Sequence, residues 1–243
     1  MMTSPDVLQQ LAPTGQLRGG VVAAPVASAF FVVQDGAGEV RGVTVDLLRA
    51  FAEALKLPLA LRVFANSGQV TDVVASGECD IAFMPQDAER AKRVDFGPAY
   101  SFIESTYLVP AGSAIQSIEE VNRPGMRIVA IANTTTMRSA RRTAPLASVE
   151  EVAGVDLMTE MARTGQGDAF ALSHDSFAGM LPALPGARVL AGNFQQVGVG
   201  VAVPKGRGGA LKLASALLQD AKKTGVVRRA LDAAGFKATD VAP

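Results

Sequence analysis

Arg127-Ile128-Val129-Ala130-Ile131 runs directly into Ala132-Asn133-Thr134-Thr135, and then into a helix-compatible segment that reaches Arg142. The first five residues read as a buried strand and residues 135–142 as a helix, started by Asn133-Thr134-Thr135, residue types that favour a helix N-terminus. The same succession recurs on both sides, and strands alternating with helices are the signature of an α/β fold with helix-covered sheets. Towards the N-terminus, strands are expected over residues 21–24, 59–63 and 81–83. Asp35-Gly36-Ala37-Gly38 turns a short extended pair. Leu47, Leu48, Phe51 and Leu55 mark a helix over 44–55, and Val70, Val73 and Val74 mark one capped by Ser67 and ended by Gly77. A loop at Met84-Pro85-Gln86-Asp87, a short helix over 88–93 and a strand over 105–109 follow. Beyond the opening stretch, Ser117 and Glu120 have capping-box spacing. Val155, Met158 and Met161 mark a helix; strands are expected over 169–172, 187–190 and 198–203, and helices over 210–218 and 225–233.

Composition narrows the function classes. The chain has 243 residues, is 49% hydrophobic, and balances 23 Lys plus Arg against 23 Asp plus Glu, so no net field favours nucleic acid or an anionic membrane. Cys79 and His174 are each the single residue of their type, which excludes an internal disulfide and a cysteine- or histidine-built metal centre. The longest apolar stretch, residues 21–33, is too short for a spanning helix, which needs about 20 residues. Arg18 ahead of that stretch, with Ala27-Ser28-Ala29 as a cleavage triplet, imitates a secretory leader, but Phe30 and Phe31 continue the apolar run and the segment serves as a strand. No repeat of solenoid length and no long Pro-, Ser- or charge-rich linker interrupts the chain.

Five motifs in order carry a resemblance that covers Leu17 to about Phe236. They are Gly42-Val43-Thr44-Val45-Asp46-Leu47; Ser76-Gly77-Glu78-Cys79-Asp80-Ile81; Glu89-Arg90-Ala91-Lys92-Arg93-Val94-Asp95-Phe96 with Pro98 and Tyr100; Asn133-Thr134-Thr135; and Gly167-Asp168-Ala169. Together they resemble the extracellular solute-binding proteins of family 3, the polar amino-acid type of ABC-transporter receptor. That resemblance implies a two-lobed, type II periplasmic-binding-protein-like α/β fold: residues 1–104 with 204–243 as one lobe, 105–203 as the other, and hinge strands near 105–109 and 198–203 beside a cleft. It implies a receptor that closes around a small carboxylate-bearing solute, an amino acid or related organic acid, and passes it to a membrane permease without chemistry, cofactor or metal. A monomer without a nucleic-acid partner is expected. Residence is expected in the periplasm with the leader removed, or in the cytoplasm if Met1 is the native start.

Arg90 matches the family arginine that grips the ligand carboxylate, a task suited to a planar, permanently charged fork. Asn133, Thr134 and Thr135 would add hydroxyls and backbone N–H groups at a helix N-terminus, where an anion is favoured. Phe30, with neighbouring Phe31, falls where the family often carries a stacking aromatic, and in a strand only one of the two can face a ligand. Pro85 and Gln86 lie in a loop about two residues shorter than the family's, and Pro85 has no N–H to give. The family's usual carboxylate partner for an ammonium falls at Ser173, with His174 and Asp175 following; either Asp175 reaches in, or the ligand is not a standard α-amino acid. Without the block around it, Arg90 would be a solvated charge on a short polar helix. Thr134 and Thr135 could simply cap their helix, His174 and Asp168 read as structural, Glu104 as a hinge salt bridge ahead of a cleft contact, and Cys79 as an inert core thiol. Two further functions compete: a dehydratase-like enzyme on the same scaffold, with Asp175 or Asp87 as its acid, and a non-exported cytoplasmic sensor.

Overall fold

The computed structural model describes residues 4–24 and 28–243; Met1, Met2, Pro25 and Ala27, all part of the leader reading, lie outside those described residues. In chain order the elements are α1 (Pro5–Leu11), β1 (Leu17–Val22), β2 (Val33–Gln34), β3 (Val40–Arg41), α2 (Val43–Leu55), β4 (Leu59–Phe64), α3 (Ser67–Ala75), β5 (Ile81–Pro85), α4 (Ala88–Ala91) and β6 (Val94–Val109). There follow β7 (Arg127–Ile131), α5 (Thr135–Thr143), β8 (Ser148–Val152), α6 (Val155–Arg163), β9 (Ala169–Ser173), α7 (His174–Met180), β10 (Arg188–Val189), β11 (Gln195–Pro204), α8 (Gly208–Lys223) and α9 (Val226–Ala233). The chain divides into two compact units, 1–102 with 198–243, and 103–197.

In the first unit β1 is flanked by parallel β4 and β5, with Leu17 opposite Leu59 and Gly19 opposite Ile81, and β11 runs antiparallel to β5 with Val199 opposite Pro85. The strand reading that began at residue 21 is corrected here: β1 starts at Leu17, so Arg18 and both glycines of Gly19-Gly20 belong to the strand. The apolar face of α2 buries Leu47, Leu48 and Phe51. Phe51 meets the edge of Phe83 at 5.7 Å between ring centroids, and Phe83 meets Tyr100 at 5.3 Å, which joins helix, sheet and β6 into one aromatic core. Lys56 in the left-handed conformation closes α2 before Pro58.

In the second unit β7 lies between parallel β8 and β9, β6 pairs antiparallel with β9, and β10 pairs antiparallel with the end of β6. Strand alternation divides its apolar residues between two cores. Ile128, Ala130, Ala169 and Ala171 pack on Met137 and Ala140 of α5, while Val129, Ile131, Phe170 and Leu172 pack on Met158 and Met161 of α6 and Phe177 of α7.

Several expectations change in detail. β6 runs for 16 residues rather than five, because the stretch through Pro98 continues extended. α1, β8 and α7 were not anticipated. β8 is the sequence Ser148-Val149-Glu150-Glu151-Val152, an edge strand whose exposed acids hide its period of two. The Ser117 and Glu120 spacing gives a three-residue 3-10 turn, Glu119–Val121, with the Glu120 carboxylate accepting from Gln116 N–H at 3.0 Å. Among the described residues, no helix is long and apolar enough to cross a membrane, and no group of three or more His, Cys, Asp or Glu side chains is placed to hold a metal ion.

Candidate functional site

In open α/β sheets ligands bind beyond the carboxyl ends of the strands, where loops and helix N-termini gather. The residues expected to bind ligand fall at or after such strand ends, each within its own unit. In the first unit, β5 ends at Pro85 and is followed by Gln86, Asp87 and α4; in the second, β7 is followed by Asn133–Thr135 and β9 by His174. The opposite strand ends carry the ion pairs Arg18–Asp80 and Arg127–Asp168, which gives Asp168 a structural task.

Arg90 is a buried side chain, 3% exposed, and not a solvated charge. Its Nη1 donates to the Pro85 carbonyl at 2.8 Å and its Nη2 to Ser67 Oγ at 2.5 Å, so the guanidinium plane is held against the start of α3. This changes the role of Ser67. Asn66 is the N-cap of α3, its side chain accepting from Gln69 N–H at 3.0 Å, and the Ser67 hydroxyl is left to orient the arginine. Asp87 caps α4 by accepting the Arg90 N–H at 2.8 Å. The segment expected as a loop is therefore tightly fixed: Met84 and Pro85 complete β5, and the missing N–H of Pro85 matters less than its carbonyl, which positions Arg90.

Gln86 donates its N–H to the Gly198 carbonyl and its Nε2 to the Gly97 carbonyl, both at 2.9 Å. A Cβ on Gly200 would collide with that carboxamide, so a larger residue there would have to displace the Gln86 side chain from across β11. Phe30 and Phe31 occupy a turn and not a strand, which corrects the alternation argument: Ser28 Oγ accepts both of their N–H groups, at 3.0 and 2.8 Å, and Ser28 N–H donates to the Phe31 carbonyl at 3.1 Å. Phe30 is 3% exposed and Phe31 half-buried, with ring centroids 5.2 Å apart, so Phe31 is the more open of the two.

In the second unit Thr134 is the N-cap of α5. Its Oγ1 accepts from Met137 N–H at 3.1 Å and donates to the Ile131 carbonyl at 2.7 Å. Asn133 is exposed in the left-handed conformation (φ 59°), and Thr135 begins the helix, 4% exposed. Ser173 is the N-cap of α7, its hydroxyl 2.8 Å from Ser176 Oγ, and Asp175 stands half-buried in the first turn of that helix. His174 Nε2 lies 2.9 Å from the Gly192 carbonyl, a structural contact. Glu104 accepts from Gln196 Nε2 at 2.9 Å, a hydrogen bond where a salt bridge was expected.

Sequence reasoning missed three hydroxyls at these strand ends. Ser105 is paired in register with Ser173 and its Oγ lies 3.0 Å from Thr136 Oγ1; Ser176 is the partner of Ser173. Only strand register brings Ser105 here, whereas Ser176 at three residues from an N-cap was readable. Two pKa directions concern residues of the quoted motifs. Burial pushes the Cys79 thiol up, consistent with an inert core group, and burial also raises the Asp46 carboxyl against the lowering influence of Arg49.

The fold and these strand-end loops define a two-lobed solute-binding class of type II, and the comparisons with known proteins place the chain within it. A profile of the bacterial extracellular solute-binding proteins, family 3, matches residues 21–233, and the chain belongs to that family. It is 28% identical over 203 residues to the ABC transporter glutamine-binding protein GlnH of Bacillus subtilis (strain 168), covering 81% of this chain and 73% of that protein. Two solved structures share the fold. The solute receptor for L-cysteine of Neisseria gonorrhoeae has a TM-score of 0.80 at 20% identity, over 94% of this chain and 92% of that one. The ancestral amino-acid-binding protein AncCDT-1, a precursor of cyclohexadienyl dehydratase, has a TM-score of 0.78 at 24% identity, over 93% and 98%.

Proposed function

We propose that this chain is the solute receptor of an ABC-type importer, binding a small carboxylate-bearing solute, an amino acid or related organic acid, and delivering it unchanged to a membrane permease. The observation that carries the reading is Arg90: a buried guanidinium fixed in plane by Ser67 and the Pro85 carbonyl, at the carboxyl end of a parallel strand and beside the start of α3. Orientation before binding removes the rotamer entropy that a free arginine would lose on gripping a carboxylate, and a planar fork can donate two parallel hydrogen bonds to it. Membership of the family and likeness to a glutamine-binding protein support the same reading. The protein acts as a monomer in the periplasm, without a nucleic-acid partner.

Thermal-shift screening with amino acids, oxo acids, hydroxy acids and aromatic acids identifies the solute, because a ligand that binds only the folded state raises Tm. For the solute so found, Arg90→Ala is expected to raise Kd about 100-fold or more, with Arg90→Lys intermediate, since a charge-assisted pair to a desolvated anion is lost. An unchanged Kd in Arg90→Ala removes Arg90 from the site. The likeness to a dehydratase precursor makes one further check worthwhile. Solute recovered after prolonged incubation should have its original mass, and loss of water would transfer the protein to the enzymes.

A further inference from the structure

The strand ends of the second unit are lined with hydroxyls, and we infer that the solute carries a carboxylate but no ammonium group: an oxo or hydroxy acid. The inference rests on the carboxylate reading above and narrows it. At the end of β9 and the start of α5, Ser105, Thr135, Ser173 and Ser176 are all buried, between 0 and 6% exposed. Their hydroxyls pair among neighbours, Ser173 with Ser176 at 2.8 Å and Ser105 with Thr136 at 3.0 Å, and either member of each pair can be the donor. Such rotors adapt equally to a carbonyl oxygen, which needs a donor, and to a hydroxyl, which needs either role.

An ammonium makes a different demand. It brings three donors and a full charge, and burying it without an anion is costly. Two acids stand near these strand ends: Asp175, in the first turn of α7, is already engaged within the structure, and Glu104, one residue before Ser105, is exposed and accepts from Gln196 Nε2 at 2.9 Å. The acidic residue beyond β8, Asp156, is exposed. In the first unit Asp87 is committed to capping α4 through the Arg90 N–H.

Titration calorimetry of the full chain with matched sets separates the cases: L-phenylalanine, phenylpyruvate and phenyllactate; L-glutamate, 2-oxoglutarate and 2-hydroxyglutarate; L-leucine and its oxo and hydroxy analogues. Within any set that binds, the amine-free members are expected to bind at least tenfold more tightly. Equal or tighter binding of the amino acid overturns the inference while leaving the carboxylate reading intact; binding by no member of any carboxylate set overturns that reading and this inference with it. Ser173→Asp supplies an anion beside the hydroxyls and is expected to move the preference at least tenfold towards the amino acid, whereas Ser173→Asn, of the same shape without the charge, is expected to leave it in place. Both Asp and Asn are favoured helix N-caps, so α7 keeps its start. A preference unmoved by Ser173→Asp overturns the assignment.

Discussion

The two units of this protein repeat one chain plan in different surroundings. β1, α2, β4, α3 and β5 build the parallel order β4-β1-β5, and β7, α5, β8, α6 and β9 build β8-β7-β9. Each plan is locked at the same place by the same device. Near the start of its first strand, Arg18 or Arg127 donates its N–H, Nε and Nη2 to the aspartate that precedes the third strand, Asp80 or Asp168. The aspartate N–H returns a bond to the arginine carbonyl, at 2.8 and 2.9 Å. Each arginine also reaches the carbonyl of a left-handed glycine in the turn before that aspartate, Gly77 at 2.8 Å and Gly165 at 3.3 Å. The fork fixes the register of first against third strand, and so sets which residues emerge at the far strand ends where ligand is expected.

What differs is water. Asp80 is fully buried and has Arg207 at 3.7 Å as a second cation, whereas the Asp168 side chain is 35% exposed and Arg127 is 50% exposed. A buried pair is little gain over apolar packing, yet breaking it strands a charge; an exposed pair is screened whether made or broken. The widest gap between the units should therefore appear on deleting the aspartates. Asp80→Ala is expected to cost about 3 kcal/mol of unfolding free energy, and Asp168→Ala no more than about 1 kcal/mol, both read from urea unfolding of purified protein. Equal losses would show that geometry, and not burial, sets the strength of the fork.

The helices that follow the first strands give a smaller contrast. α5 is capped by the Thr134 hydroxyl, whereas α2 begins at Gly42, with φ 149° and no side-chain cap. Thr134→Ala is expected to cost about 1 kcal/mol. Gly42→Ser is expected to destabilise despite offering a capping hydroxyl, because a side chain is strained at that φ and its Cβ would press on Val32 at 3.0 Å. Thermal unfolding of both variants checks the pair, and a Gly42→Ser variant more stable than the parent would remove the distinction between the two helix starts.

The comparison also explains what could be read from sequence. Period and breakers placed most strands and helices, and the block from Glu89 to Tyr100 marked the candidate site because Arg90 stands inside it. The repeat itself was illegible: Arg18 and Arg127 are single charges at strand starts, and only pairing across some 60 and 40 residues respectively gives them a partner. Burial of Arg90 was equally hidden, since its segment reads as a polar helix and the groups that desolvate it, Ser67 and Pro85, come from other elements. Phe30 and Phe31 misled because an apolar pair looks like a strand, although Ser28 gathers both N–H groups into a turn.

The smallest effect tests whether charge or hydrogen bonding does the work in the exposed fork. Side-chain hydrogen bonding from Arg127 holds the Asp168 carboxyl below its ordinary value of 3.8; burial opposes it as the next largest influence, and the Arg127 N–H and charge add to the lowering. A folded-state pKa lower than the unfolded one adds stability above the unfolded value and loses it as pH falls through the folded one. Asp168→Asn keeps the shape and removes the charge, so the stability gap between parent and variant should be full near neutral pH and should close progressively below about pH 4, while the other acids titrate alike in both proteins and cancel. Added salt should narrow the gap at neutral pH, because both side chains of the pair are exposed enough to be screened. A gap that persists unchanged into acid would assign the contribution to the neutral hydrogen bonds with the Arg127 backbone, and the two forks would then differ in kind as well as in strength.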